Sequence, residues 1–413
     1  MSRWPNKYVI GLTGNIAVGK SVVRQMLQHL GAYTIDADGL SHQAMQPGAP
    51  AYIPVVDTFG QFILGPDKRI NRALLGQIVF SNPEALRKLE AIVHPIVRQA
   101  VNTLVTRSKQ RVVVIEAIKL LEGGLAEGTD SIWVVDASPE TQLQRLMQKR
   151  KAPEAEARQR ITAQNPQADK LARANVVIHN DGNVEETWKQ VQDAWNLVRQ
   201  AVIQQHAPGA GAQAAPAKPV TRAAEETQPS MDATVARPSA PIDVHDLKVE
   251  VKRGMPGNAE AIAQFITTVT DSPISRMDIM LAFGQKSYLL AQDQHGNQIG
   301  VIGWQVENLI TRTDEFYLRP NIPPGPVINA LIIAIEEASM DLQSEVSFIF
   351  LADRTSDAVI QPFLQQGYHL TTVREIKIPA WREAVQEVVN ASNESSFRIL
   401  TKKLREDRVL QPL

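Results

Sequence analysis

The stretch Gly14-Asn15-Ile16-Ala17-Val18-Gly19-Lys20-Ser21 satisfies every position of the GxxxxGK[ST] pattern, and its flanks dictate how it must fold. Before it, Tyr8-Val9-Ile10-Gly11-Leu12 reads as a short, buried parallel strand. After it, Val22 to Leu30 carries apolar residues at helical spacing. Strand, glycine loop and helix in that order turn backbone N–H groups inward around the phosphates of a nucleotide. The segment from Gly14 to Val22 is therefore the candidate phosphate cradle, with Lys20 adding a full positive charge. Ser21 offers its hydroxyl to a magnesium ion.

Composition limits what surrounds this loop. With 43 basic and 44 acidic residues among 413, no global field recruits nucleic acid or membrane, and neither is expected as a partner. The absence of cysteine excludes disulfides and thiolate metal sites and suits a reducing compartment. Met1-Ser2-Arg3-Trp4-Pro5 leads straight into the first strand without the apolar core of a signal peptide. No apolar run is long enough to cross a bilayer. The expectation is a cytoplasmic, multidomain protein.

The clearest composition shift runs from about His206 to Pro241, rich in Ala, Pro, Gly, Ser and Thr with almost nothing to bury. It divides the chain into a first domain over 1–204, a linker over 205–244 expected to be disordered, and a second domain over 245–413. In the first domain, strands are expected at Tyr8–Leu12, Tyr33–Asp36, Arg111–Glu116, Ser131–Val135 and Val176–His179, with helices between them such as Asn82–Val93 and Thr141–Lys149. That alternation predicts an α/β fold: a parallel sheet with helices on both faces. The stretch from Leu40 to Thr106 is mainly helical in pattern and reads as a helical insertion.

A phosphate loop alone does not name a chemistry. No NKxD guanine reader and no LSGGQ-type signature is present, and Asp57-Thr58-Phe59-Gly60 fits DxxG only at what reads as a helix end. Ile35-Asp36-Ala37-Asp38 closes the second strand, where carboxylates face the ligand crevice of a parallel sheet. One of the two can take the proton of an attacking hydroxyl while the other holds magnesium through water; either can equally be a helix cap. Gln142 to Lys151, with Arg145 and Arg150, followed by Arg158 and Arg160, reads as a cationic lid or as a solvated helix face.

Taken together, these segments resemble dephospho-coenzyme A kinase, of the nucleoside-monophosphate-kinase-like group of P-loop enzymes. The resemblance covers nearly all of the first domain. It rests on Gly11 through Ser21, Ile35-Asp36-Ala37-Asp38, Leu89-Glu90-Ala91-Ile92-Val93-His94-Pro95, Val134 through Arg145, Arg160-Ile161-Thr162-Ala163-Gln164, Lys170 and Asn180-Asp181-Gly182. It implies ATP- and Mg2+-dependent phosphorylation of the ribose 3′-hydroxyl of dephospho-coenzyme A, the last step of coenzyme A synthesis. It further implies Asp38 as general base and Lys20, Arg145 and Arg150 as the charge-stabilising set. Asn180 falls on the adenine contact, and Asp36, Asp38, His94, Glu116 and Leu120 fall on the acceptor side. Two departures stand out. The family's DxPLLFE-like segment reads Glu116-Ala117-Ile118-Lys119-Leu120-Leu121-Glu122, and its lid RD pair falls on Lys149-Arg150 or Arg150-Lys151. Two other readings stay open: another nucleoside or nucleotide acceptor, or a regulatory protein whose second domain binds a coenzyme A species.

The second domain is similar to the GNAT acetyltransferase superfamily, which implies an α+β fold. The resemblance rests on a strand Leu247–Arg253, a helix Asn258–Thr268, a hairpin of Tyr288–Asp293 with Gln298–Gln305, a strand Val346–Leu351, a helix Ala358–Gln366 and Gly367-Tyr368. The family's pyrophosphate turn falls on Leu318-Arg319-Pro320-Asn321-Ile322-Pro323-Pro324-Gly325-Pro326-Val327. Prolines there remove the N–H donors such a turn needs, so a degenerate module without acetyl transfer is expected.

Overall fold

The computed structural model describes residues 3–150, 153–164, 166–205, 247–391 and 397–409, with residues 149, 150 and 205 described in their backbone only. The expected linker lies, from residue 206 onward, outside the described residues.

The first domain is built on β1 (Tyr8–Thr13), β2 (Tyr33–Asp36), β3 (Val112–Glu116), β4 (Ser131–Asp136) and β5 (Val176–His179). They form one parallel sheet in the order β2-β3-β1-β4-β5. Covering both faces of a sheet requires strands without a polar side, and β3 is buried at every position. The helices are α1 (Lys20–His29), α2 (Ala37–Ala44), α3 (Tyr52–Phe59), α4 (Arg72–Ser81), α5 (Pro83–Arg107), α6 (Pro139–Arg150), α7 (Glu154–Thr162), α8 (Gln167–Leu171) and α9 (Val184–Gln205). One apolar cluster joins Ile10, Leu12, Val114 and Trp133 to Leu27 of α1 and Trp195 of α9. The other face packs Val9, Ile35 and Ile115 against Leu40 of α2 and Val101 and Leu104 of α5. The helical insertion is thus α2 to α5, and α3 ends at Gly60, whose φ of 89° makes the DxxG match a helix stop.

The second domain comprises β6 (Glu250–Gly254), β7 (Ser287–Gln292), β8 (Gln298–Glu307), β9 (Ile310–Leu318), β10 (Val346–Ala352), β11 (His369–Thr371) and β12 (Phe397–Lys403). Its helices are α10 (Ala259–Thr270), α11 (Arg276–Ala282), α12 (Pro324–Asp341), α13 (Asp357–Gln365) and α14 (Pro379–Ala391). The sheet order is β11-β12-β10-β9-β8-β7-β6, antiparallel except for the parallel pair β9/β10. That pair holds register only over Ile310–Thr313 against Val346–Ile349, although both strands run further. This is the expected α+β arrangement.

β2 is one of the two edge strands of the first sheet, and an open edge invites pairing with other chains. Here the second domain covers it. Leu309 and Leu342 join Leu40, Leu104, Tyr33 and Ile35 in one apolar cluster. Gln343 Nε2 donates to the Leu104 carbonyl at 2.7 Å, Gln25 Nε2 to Ser287 Oγ at 3.2 Å, and His29 Nε2 lies 2.9 Å from the Phe283 carbonyl. Arg276 pairs with Glu185 and Lys109 with Asp341 around the rim. A shared core should couple the two domains in unfolding. Leu104→Ala should therefore cost about 2–5 kcal/mol and lower a single urea transition followed by tryptophan fluorescence. Two separate transitions, only one of them shifted, would show that the shared cluster does not couple the domains.

Candidate active site

At the C-terminal end of β1 the chain enters the glycine loop with Gly14 at φ 147°, Ala17 at 60° and Gly19 at 96°. The two glycines are required by space as well as by dihedral. A Cβ on Gly14 would lie 2.4 Å from the Val135 carbonyl oxygen, and one on Gly19 would lie 2.1 Å from Asn180 Nδ2. α1 then begins at Lys20, with no side-chain cap and no acidic residue in its first turn. Its uncapped N–H groups and partial positive charge are left for an anion.

The loop carbonyls are collected from outside. Arg145 Nη1 donates to the Ala17 and Val18 carbonyls at 3.2 and 3.1 Å, and its Nη2 donates to the Asn180 carbonyl at 2.6 Å. Asn180 Nδ2 donates to the Val18 carbonyl at 2.8 Å, while its Oδ1 accepts from Thr187 Oγ1 at 2.9 Å. Lys20 is buried and donates to the Asn15 carbonyl at 3.2 Å. Lys170, from α8, donates to Asn15 Oδ1 at 2.6 Å, and burial lowers its pKa. Two loop amides have side-chain acceptors: Asn15 N–H donates to Gln167 Oε1 at 3.1 Å and Ile16 N–H to Gln164 Oε1 at 2.8 Å.

The two carboxylates after β2 have different surroundings. Asp36 caps α2, its Oδ1 accepting from the Gly39 N–H at 2.9 Å. Asp38, one residue into the same helix, accepts from the Ile118 N–H at 3.0 Å. Burial pushes its pKa up to about 6, with Asp36 adding to the rise and the Ile118 hydrogen bond and Lys20 opposing it.

Glu116, at the end of β3, is buried and ion-paired to Arg24 of α1, Nε to Oε2 at 2.6 Å. Its other oxygen accepts from Ser21 Oγ at 3.3 Å. β3 neighbours β1 and delivers its last residue beside Ser21, and the Glu116 charge also acts on Asp38. Leu120 departs from expectation: it is fully buried, its side chain packed where a Cβ on Gly11 would lie 2.7 Å away. It belongs to the core, not to a ligand surface. His94, on α5, is half-buried beside Gly123, with its pKa lowered first by burial. The side chain of Arg150 lies outside the described residues. Arg24, Gln164, Gln167 and the Ile118 amide were not singled out as site groups. The spacing of Gln164, Gln167 and Lys170 is the signal that would have marked the middle two.

Among the described residues no group of three or more acidic or histidine side chains forms a metal cage, and no helix is long and apolar enough to cross a membrane. Residues 8–186 match the family model for dephospho-CoA kinase, CoaE. A dephospho-CoA kinase from Geobacter metallireducens is 47% identical over 190 residues, covering 45% of this chain and 94% of that protein. A solved structure of TT1252 from Thermus thermophilus is 31% identical, covers 46% of this chain and 97% of its own, and has a TM-score of 0.43. Over the second domain, a GNAT-family acetyltransferase structure from Staphylococcus aureus covers 38% of this chain and all of its own at 11% identity, with a TM-score of 0.30.

The raised pKa of Asp38 has a sign that can be tested. The folded state binds this proton more tightly than the unfolded chain, so ionising Asp38 costs stability. The cost is absent below about pH 4 and develops fully as pH rises through about 6. Asp38→Asn should therefore match the parent in urea denaturation at pH 4 and be more stable at pH 7.5. A variant that is less stable at pH 7.5 would contradict this account.

Proposed function

The chain belongs to the dephospho-CoA kinase family, and on that premise we propose how its residues transfer the ATP γ-phosphoryl group to the ribose 3′-hydroxyl of dephospho-CoA. The observation that carries the reading is Asp38: a carboxylate held by the Ile118 amide, tuned to about 6, at the same sheet edge as the phosphate loop. Near neutral pH it is ionised yet basic enough to accept the proton of an attacking alcohol. Gly14 to Val22 cradle the β- and γ-phosphates with their amides, and Lys20 and Lys170 place two ammonium groups beside them. Gln164 and Gln167 release the Asn15 and Ile16 amides to phosphate oxygens when nucleotide enters. Arg145 and Asn180 hold the loop from its carbonyl side, and in this reading Asn180 also contacts the adenine.

Ser21 Oγ and Glu116 Oε1 are hard oxygen donors side by side, and they would hold a magnesium ion. A magnesium ion bound there would supply neutralisation of charge on the transferring group. Asp36 caps the helix that presents Asp38, and His94 of the insertion contacts the acceptor in this reading. The loose phosphoryl transition state needs in-line alignment and charge dispersal, and these residues provide both without a covalent intermediate. The protein acts in the cytoplasm, a reading its lack of cysteine suits.

The second domain does not transfer acetyl groups in this reading. α12 opens with Pro323 at its cap, Pro324 at its first position and Pro326 two residues later. Proline suits a helix start but has no N–H to give a pyrophosphate.

Coupled assays should show turnover of dephospho-CoA with ATP and little with other nucleosides or nucleotides; equal rates on adenosine would overturn the acceptor assignment. Asp38→Asn should lower kcat by roughly 10²–10⁴ while isothermal titration finds ATP affinity nearly unchanged. Glu116→Gln should raise the magnesium concentration needed for half-maximal rate. A change confined to the KM for dephospho-CoA would assign Glu116 to the acceptor side.

A further inference from the structure

A tight turn of the second domain bears on α2, the helix that carries Asp38. Glu307 pairs with Ile310 at the end of the β8/β9 hairpin, so Asn308 and Leu309 alone form its loop. Both have left-handed backbones, with φ of 52° and 66°. Asparagine tolerates this conformation; leucine does so only where its surroundings hold it. Leu309 is held firmly. Its side chain is buried in the cluster that covers β2, and its carbonyl accepts from the Glu345 N–H at 2.7 Å and from Ser344 Oγ at 3.1 Å.

Anchored in this way, the turn bears on α2 beside Asp38. The Asn308 carbonyl accepts from Gln43 Nε2 at 2.6 Å. The Asn308 side chain lies against Gly39, where a Cβ would be 2.0 Å from its Oδ1 and 2.7 Å from Asp36 Oδ2. Asn308 Oδ1 is buried there with no hydrogen-bond partner, so its contact with Gly39 is one of shape. α2 is only eight residues long. Its first turn is thus fixed from one side by the Ile118 amide on Asp38 and from the other by Asn308 on Gly39.

We propose that the Asn308-Leu309 turn is a positioning element for phosphoryl transfer: by seating against Gly39 it sets where Asp38 meets the acceptor hydroxyl. This rests on Asp38 being the base. The turn's hydrogen bond and its close contact both go to α2, so its influence falls on kcat and not on nucleotide binding. The second domain, lying outside the segment matched to the kinase family, is in this way part of the kinase's working geometry.

The test uses the full chain with Gly39→Ala, Asn308→Gly and the double variant, alongside Asp38→Asn. Gly39→Ala should cut kcat at least tenfold with the KM for ATP within twofold of the parent. The double variant should recover part of that loss, because glycine at 308 keeps the turn and removes the 2.0 Å contact while the 2.7 Å contact with Asp36 Oδ2 remains. A double variant as slow as Gly39→Ala, or a Gly39→Ala with parental kcat, would overturn the proposal. Gln43→Ala is the second route should Gly39→Ala fold poorly. It should lower kcat two- to fivefold at unchanged melting temperature, and a parental kcat would count against the turn. Parental turnover by Asp38→Asn would instead remove the base on which the proposal stands, an outcome separable from the others.

Discussion

Turning the backbone amides of a loop inward forces its carbonyls outward, and those carbonyls need donors of their own. In this protein Arg145 and Asn180 meet that need at Ala17 and Val18. The requirement reaches well beyond the loop. Asn180 must arrive directly after β5, and its own N–H is anchored on the Asp136 carbonyl at the end of β4. Arg145 must project from α6 toward the same point. The order β1-β4-β5 on one side of the phosphate strand is thus tied to the loop's conformation, as β3-β2 on the other side is tied to Glu116 and Asp38.

Much of this was readable from the chain. β2 and β5 fall where their apolar runs placed them, and β1, β3 and β4 differ by a residue at one end. α5 runs past the expected end at Val93 and through Pro95, since Val97, Ala100, Val101 and Leu104 bury a full apolar stripe beyond it. In the second domain no helix is assigned over α12 from sequence, and its prolines occupy the helix start. β9 was also missed, its alternation blurred by Asp314 and Glu315, which are satisfied by Lys286. In the site, motif residues were legible because their spacing is fixed by the chemistry. Leu120 departs from expectation for the opposite reason: it is fully buried. Which face of the chain a side chain takes after β3 depends on packing with Gly11, and local sequence does not encode that contact.

The same limit applies to the relation between domains. A linker rich in Ala and Pro suggests independent bodies, yet the edge of β2 needs a cover and the second domain supplies one. The cover is specific: an apolar seal at Leu309 and Leu342, and a strained turn at the helix that bears Asp38. A left-handed leucine is tolerated where position matters more than local preference.

A structure of the full chain with a non-hydrolysable ATP analogue and dephospho-CoA tests the central claim most directly. The account predicts the terminal phosphates within the amides of residues 14–22 and the ribose 3′-hydroxyl within hydrogen-bonding distance of an Asp38 carboxylate oxygen. A ribose seated elsewhere, with Asp38 still turned only to the Ile118 amide, would contradict it.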